Sequence, residues 1–183
     1  ALVGHSMGSL IALEAAARLS GSDLDIEPTR LVMIGTAFPM KVSPALLDTA
    51  SAAPLQAIDR VNAHSISTLA AKPAHPGPGS WLHGANRALM RRLQAGYAAA
   101  GHGNLFHHDF GACDRYGGAL EAAAQVRCPV RMILGAKDAM TPPKAAQALA
   151  AALHAEITTL PAGHALMAEA PDAVLAALQS TLV

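Results

Sequence analysis

Short runs of consecutive apolar residues alternate with amphipathic stretches near both ends of this 183-residue chain. Four runs have the length and continuity of strands buried on both faces of a parallel sheet, and they lie at 1–3, 31–34, 129–134 and 157–160. Apolar residues at helical spacing predict helices at about 9–19, from residue 141 to about residue 153, and from residue 171 onward. This alternation of strand and helix predicts an α/β fold with a mostly parallel sheet.

Capping residues mark the ends of several predicted helices. Gly21 stands where the first helix should stop. Ser43 followed by Pro44 is typical of an N-cap and a first helical position, and we expect Thr141 to cap the next core helix in the same way. Pro171 is expected to begin the closing helix.

Between residues 36 and 125 the regular alternation of strand and helix stops. Helical segments are predicted at 54–61 and 81–95, while the prolines and glycines of residues 72–80 exclude regular secondary structure. A long helical insertion with a flexible joint is typical of a lid that excludes water and shapes substrate selection. We therefore divide the chain into core segments at 1–37 and 126–183 and a helical cap at 38–125.

Composition narrows the classes of partner. Thirteen basic residues balance thirteen acidic ones, and only 3% of residues are aromatic, which argues against nucleic-acid binding. No apolar run reaches the roughly 18 residues of a membrane span. The two cysteines, Cys113 and Cys128, cannot make a disulfide framework, so a reducing, cytoplasmic location is the default expectation. Cys128 is interpreted as a small apolar residue rather than a redox group.

Residues 4–8, GHSMG, lie between the first predicted strand and the first predicted helix. A strand, a Gly-x-Ser-x-Gly turn and a helix form the context of a nucleophile elbow, which exposes the serine hydroxyl, here that of Ser6. We expect both Gly4 and Gly8 to be required, because a Cβ atom at either position would collide in so tight a turn. The alternative interpretation is an ordinary small serine in a strand-to-helix turn.

Two later strands lead into residues whose side chains could activate Ser6 as a nucleophile. The strand at 129–134 runs into Asp138, and the strand at 157–160 runs into His164. In open parallel sheets functional groups gather beyond the carboxyl ends of the strands, and the chain order Ser, Asp, His is typical of one class of hydrolase. A neutral imidazole can take the serine proton, and a carboxylate fixes its tautomer. The structural alternatives are a turn residue for Asp138 and a helix cap for His164.

The developing oxyanion in such a reaction needs two backbone N–H donors, and the amide of Met7 is the first candidate. The elbow begins after only three residues of its strand, so we expect this chain to be the C-terminal part of a larger domain that lacks roughly 60–100 residues, including the second donor. Without that donor we expect little activity, since one donor contributes roughly 2.7–4 kcal/mol. The alternative is a complete short protein with an exposed edge strand.

Other residues are weaker candidates. His107, His108 and Asp109 stand together, but without a second ligand cluster they indicate cap surface rather than a metal site. His5 is locked in the elbow and is expected to pack or hydrogen-bond beneath the site. Asp172 is assigned to the closing helix dipole. An apolar substrate pocket or plain core packing would each explain Met7, Phe38, Trp81, Met90 and Met140. No metal and no cofactor is predicted.

Three segments together resemble the α/β-hydrolase superfamily: residues 1–8 (ALVGHSMG), residues 134–138 (LGAKD) followed by TPP at 141–143, and residues 160–164 (LPAGH). The branch resembled is the single-domain bacterial one with a helical cap after the sixth strand. The resemblance implies that the elbow strand is the fifth of eight. A serine nucleophile separates the chain from the epoxide hydrolase and haloalkane dehalogenase branches, which use Asp.

The resemblance is compatible with carboxylesterases, thioesterases, C–C bond hydrolases, lactonases and related acyltransferases. We expect a serine hydrolase that acts on a small, largely apolar acyl substrate through an acyl-serine intermediate. An acyltransferase with the same three residues is the second hypothesis. A non-catalytic ligand-binding relative or an inactive fragment is the third.

Overall fold

A computed structural model describes residues 1–23, 26–67 and 82–182. Its strands form one parallel sheet in the order β1-β2-β3-β4, and they are β1 (Leu2–His5), β2 (Leu31–Ile34), β3 (Val130–Gly135) and β4 (Glu156–Leu160). The α-helices are α1 (Met7–Leu19), α2 (Pro44–Ala52), α3 (Pro54–Ser65), α4 (Leu82–Ala99), α5 (Leu105–Arg115), α6 (Ala119–Ala123), α7 (Gln147–Ala152), α8 (Leu166–Glu169) and α9 (Pro171–Leu182). The predicted α/β class and parallel sheet are confirmed.

The two faces of the sheet bury two apolar clusters. Leu31 and Met33 of β2 point into one cluster, which α1, α6 and α7 complete. Val32 and Ile34 point into the other, which α8 and α9 cover. All four residues of β2 are buried. This agrees with its unbroken apolar run, which predicted a strand covered on both faces.

The register brings the functional loops to one edge of the sheet. His5 pairs with Ile34, which pairs with Ile133, and Gly135 pairs with Leu160. Because all the pairings are parallel, the loops that follow β1, β3 and β4 leave the sheet on the same side.

Helices α2 to α5 lie between β2 and β3 in the chain and pack mainly on one another, with α3 touching α2, α4 and α5. The predicted cap of α2 is confirmed, since the Ser43 hydroxyl oxygen accepts the Leu46 N–H at 3.3 Å. Helix α5 was not predicted. Its cap is Asn104, whose side-chain oxygen accepts the His107 N–H at 3.0 Å.

Two predicted helix starts differ from the structure. Helix α1 begins at Met7, two residues earlier than expected. Thr141 does not cap a helix: a 3-10 helix at Pro143–Ala146 comes first, its N-cap is Pro142, and α7 follows it. The short helices α6 and α8 were not predicted. Residues 72–80 and Trp81 lie outside the described residues, and no helix within the described ranges is long and apolar enough to cross a membrane.

Candidate active site at the carboxyl edge of the sheet

The turn between β1 and α1 holds Ser6 at φ 54°, a left-handed conformation that a non-glycine residue rarely adopts. The same turn brings two backbone segments very close, because a Cβ added to Gly4 would lie 2.0 Å from the Gly8 carbonyl oxygen. The requirement for Gly4 is therefore confirmed. The predicted requirement for Gly8 is wrong. Among the described residues outside its own helix, a Cβ at Gly8 would meet no atom within 4 Å.

The structure brings the three predicted side chains into one hydrogen-bonded row. Ser6 Oγ lies 3.0 Å from His164 Nε2. His164 Nδ1 lies 2.8 Å from Asp138 Oδ2. Asp138 and His164 are only 4% and 5% exposed, so the row is shielded from water behind the serine. Since a carboxylate only accepts, His164 carries its proton on Nδ1, and its Nε2 is free to accept from the serine hydroxyl.

The Asp138 carboxylate is fixed by its own loop. Its Oδ1 accepts the N–H groups of Met140 and Thr141, both at 2.8 Å. Burial alone would raise the pKa of the Asp138 carboxyl, but the hydrogen bond and charge of His164 and the hydrogen bonds from Thr141 together hold that pKa below its usual value. Asp138 is therefore an anion at neutral pH.

The Thr141 hydroxyl is a contact that the sequence prediction missed. Thr141 Oγ1 lies 2.7 Å from Asp138 Oδ2, 2.9 Å from the Gly35 carbonyl oxygen and 3.0 Å from His164 Nδ1. A threonine three residues after the acid was interpreted only as a helix cap. The hydroxyl instead joins the acid, the histidine and the end of β2.

His5 supports the histidine loop from below. His5 Nε2 lies 2.9 Å from the His164 carbonyl oxygen, and the two ring centroids are 4.8 Å apart. Burial first, and then the charge of His164, lower the pKa of the His5 imidazole. Its ring is therefore neutral at pH 7 and donates Nε2–H to that carbonyl.

Met7 occupies the first position of α1, where a backbone N–H has no acceptor within its own helix. The amide therefore lies at the positive end of the helix dipole, immediately after Ser6. The helix start is held by Ser9, whose hydroxyl donates to the Ser6 carbonyl oxygen at 2.6 Å and lies 2.7 Å from Thr36 Oγ1.

A cavity of about 440 Å³ opens beside Ser6. Its walls are mainly apolar, and α2 and α5 contribute Leu46, Phe106 and Phe110 to them. Of the five residues proposed for substrate contact, Met7 and Met140 line this cavity. Phe38 packs edge-on against Tyr116, Met90 receives a contact from Asn86 on its own helix, and Trp81 lies outside the described residues.

Charged side chains also line the cavity. Lys41 and Arg60 line it, with the Lys41 ammonium donating to the Asp114 carbonyl oxygen and Arg60 donating to Thr49. Asp109, interpreted from the sequence as cap surface, also lines the cavity. Within the described residues no group of histidine, cysteine and carboxylate side chains has the arrangement of a metal site.

Comparisons with known proteins agree on one family and one fold. The model of the Alpha/beta hydrolase family matches residues 1–177. A thermophilic esterase superposes with a TM-score of 0.69 at 22% identity, over 97% of this chain and 63% of that one. An esterase from Exiguobacterium antarcticum gives 0.72 at 15% identity, over 97% and 64%. The enol-lactonase from Burkholderia xenovorans LB400 gives 0.72 at 21% identity, over 98% and 64%.

The chain therefore spans 63% to 64% of the length of these three solved structures. No curated protein matches it in sequence. At these identities the structural neighbours establish the fold, and the residue roles come from the geometry of the site.

Proposed function

The chain belongs to the alpha/beta hydrolase family, and from that premise we propose that it acts as a serine hydrolase on carboxylic esters or related acyl substrates. One observation carries the proposal: the continuous row from Ser6 Oγ through His164 to the Asp138 carboxylate, with distances of 3.0 Å and 2.8 Å. A serine hydroxyl is a weak nucleophile at neutral pH unless a base stands within hydrogen-bond reach. Esterases and a lactonase among the structural neighbours support the same reaction class.

The reaction follows from this row in two halves. Ser6 Oγ attacks the acyl carbon while His164 Nε2 takes the hydroxyl proton, and the tetrahedral intermediate expels the alcohol, which receives that proton. Water then attacks the acyl-serine and gives a proton to His164, and His164 returns that proton to Ser6 Oγ as the second tetrahedral intermediate breaks down to the acid and the free serine. Asp138 accepts from Nδ1 throughout and stabilises the imidazolium that forms in each half.

The oxyanion of each tetrahedral intermediate lies near the start of α1. We assign the Met7 N–H as one donor, because it directly follows the nucleophile and stands at the positive end of the helix. A donor of this kind contributes roughly 2.7–4 kcal/mol of transition-state stabilisation.

We assign residues 38–125 as a helical cap over the site. Helices α2, α3 and α5 of this segment supply much of the cavity wall. The apolar character of that wall and a volume near the lower end of the usual range for ligand pockets favour a small, largely apolar acyl group.

Labelling with a fluorophosphonate probe tests the proposal on the full-length protein. We expect one equivalent of label on Ser6 and none on the Ser6→Ala variant. Ser43→Ala is the matched control and should be labelled like the wild type, since Ser43 lines the same cavity but its hydroxyl oxygen accepts the Leu46 N–H at the start of α2 and is hydrogen-bonded to no histidine among the described residues. Full labelling of Ser6→Ala, or none of the wild type, would contradict the proposal.

The fate of the acyl group separates hydrolysis from transfer. With an activated ester as substrate, we expect free acid as the main product even when a short alcohol or thiol is added. Conversion mainly to the new ester or thioester would favour the acyltransferase hypothesis, because the acyl-serine would then have selected that acceptor over water.

A further inference from the structure

Glu169, the last residue of α8, joins two segments that are far apart in the chain. Its Oε1 accepts the N–H of Gly163, the residue before His164, at 2.9 Å. Its Oε2 accepts the N–H of Ser67 at 2.9 Å and also the Ser67 hydroxyl. One carboxylate therefore holds the histidine loop and the end of α3 together.

The same two segments are in direct backbone contact. The N–H of Ala165 donates to the Ser65 carbonyl oxygen at 2.9 Å. A Cβ added to Gly163 would lie 2.8 Å from the Ser67 nitrogen and 2.8 Å from Glu169 Oε1, so no space remains between them. With His5 bound to the His164 carbonyl oxygen, three consecutive residues of the histidine loop each have a backbone group fixed by hydrogen bonding.

The segment bound by Glu169 continues directly from a wall of the substrate cavity. Arg60, Val61 and His64 of α3 line that cavity, and residues 65–67 follow them. Ser65 also contacts the acid loop, since its hydroxyl lies 3.3 Å from the Met140 sulfur. The position of α3 is therefore linked to both loops that carry the partners of Ser6.

We propose that Glu169 is a positioning residue for the base: by tying the histidine loop to the end of α3, it sets His164 at hydrogen-bonding distance from Ser6. This inference rests on the proposed function. Misplacing a reacting group by about 1 Å can cost about 100-fold in rate, and catalytic groups must be held to within about 0.5 Å. Loss of the carboxylate should thus lower kcat, while α3 stays in place through its contacts with α2, α4 and α5, so KM should be nearly unchanged.

The test measures ester hydrolysis by the full-length protein and its Glu169→Ala variant. We expect kcat to fall by about 10- to 100-fold and KM to change by less than about threefold. Glu169→Gln keeps one acceptor oxygen and should recover part of the loss. Glu121→Ala is the matched control, because Glu121 is exposed and its helix α6 packs mainly on α1 and α7. The kcat of this variant should equal that of the wild type.

Combining Glu169→Ala with His164→Ala distinguishes a positioning role from general destabilisation of the protein. If Glu169 acts through His164, then Glu169→Ala should change the residual rate of a His164→Ala variant by less than about twofold, because residues that act as a unit are not additive. Equal losses in both backgrounds would overturn the inference. So would an unchanged kcat in Glu169→Ala and Glu169→Gln variants whose melting temperatures show that they fold.

Failure of the proposed function gives a different result. In that case the wild type itself would neither hydrolyse esters nor react with the fluorophosphonate at Ser6. If the wild type is active but the Glu169 variants have the same kcat, only the positioning role is rejected.

Discussion

The three loops that follow β1, β3 and β4 and the helices α2 to α5 are held in place by different means. Each of the three loops presents a side chain whose polar atoms have fixed partners, and Asp138 and His164 are almost fully buried. In contrast, α2 and α4 each bury a single residue, Ala50 and Gln94.

The comparison indicates that the three loops are rigid, whereas the exposed helices can adapt. A buried, fully hydrogen-bonded row resists displacement, because moving any member leaves a polar group unpaired at a cost of about 1–3 kcal/mol. Half-exposed helices with few buried residues have little apolar contact to lose. We therefore expect substitutions in the loops to affect the reaction with every substrate, and substitutions at the cavity-lining positions of α2 and α5 to change which substrates are accepted.

The largest effect is expected from Asp138→Asn. Asp138 Oδ1 accepts two backbone N–H groups, so the Asn oxygen should stay there and its NH₂ should face His164 Nδ1. That forces the imidazole proton onto Nε2, which can then no longer accept from Ser6. We expect kcat to fall by about 10⁴-fold for short and long acyl esters alike. A loss of kcat confined to esters of one acyl-chain length would contradict the expectation that the loops affect the reaction with every substrate.

A change in the elbow should act on stability. Gly4→Ala places a Cβ 2.0 Å from the Gly8 carbonyl oxygen, which only a backbone shift can relieve, so we expect a loss of about 3 kcal/mol or more in the free energy of unfolding. Gly8→Ala meets no atom and lies in α1, where alanine is favoured over glycine by up to about 1 kcal/mol. Urea denaturation of both variants measures the difference, and equal losses would contradict the geometry of the turn.

A substitution in the helical wall should alter selectivity. Phe110→Ala removes a half-buried ring that lines the cavity, so longer acyl chains should fit better. Because a buried CH₂ contributes about 0.8 kcal/mol, or about fourfold, two more carbons should shift the ratio of kcat/KM for long over short esters by about 15-fold. Leu89→Ala, on an exposed side of α4, is the control and should leave that ratio unchanged.

The smallest expected effect is a pH dependence of stability that comes from His5. Burial and the charge of His164 lower its pKa in the folded state, whereas the unfolded chain keeps a value of about 6.5. Below that pH the unfolded state binds more protons, so this contribution to stability is present above pH 6.5 and is lost as the pH falls. Urea denaturation at pH 7 and pH 5 should show a smaller decrease for His5→Gln than for the wild type.

The sequence predicted the strands and the row of functional residues more accurately than the helical wall. Unbroken apolar runs and Gly-x-Ser-x-Gly are local patterns, and parallel strands bring their carboxyl ends together, so the proximity of Ser6, Asp138 and His164 followed from the strand assignments. Helix α5 was missed because its Phe106 and Phe110 stand among histidines and glycine and bury little surface. The wall it forms depends on packing among helices that no local pattern encodes.

The contacts of Thr141 and Glu169 also could not be predicted from the sequence. Thr141 precedes two prolines, which is typical of a helix start, and only the three-dimensional approach of β2 and the histidine loop reveals its contacts with Gly35 and His164. Glu169 bonds Ser67 across 102 positions of chain. Contacts of that kind depend on tertiary structure.

The hydrogen bond between Ser6 and His164 joins residues 158 positions apart, and the histidine follows β4, the fourth of the described strands in chain order. During synthesis Ser6 leaves the ribosome before His164, since the chain emerges from its N-terminus. Pairings between such distant residues also form late, because the entropy of closing the loop must be overcome first. Under the proposed function, the serine hydroxyl of the nascent chain is therefore unreactive until the histidine loop has joined the sheet.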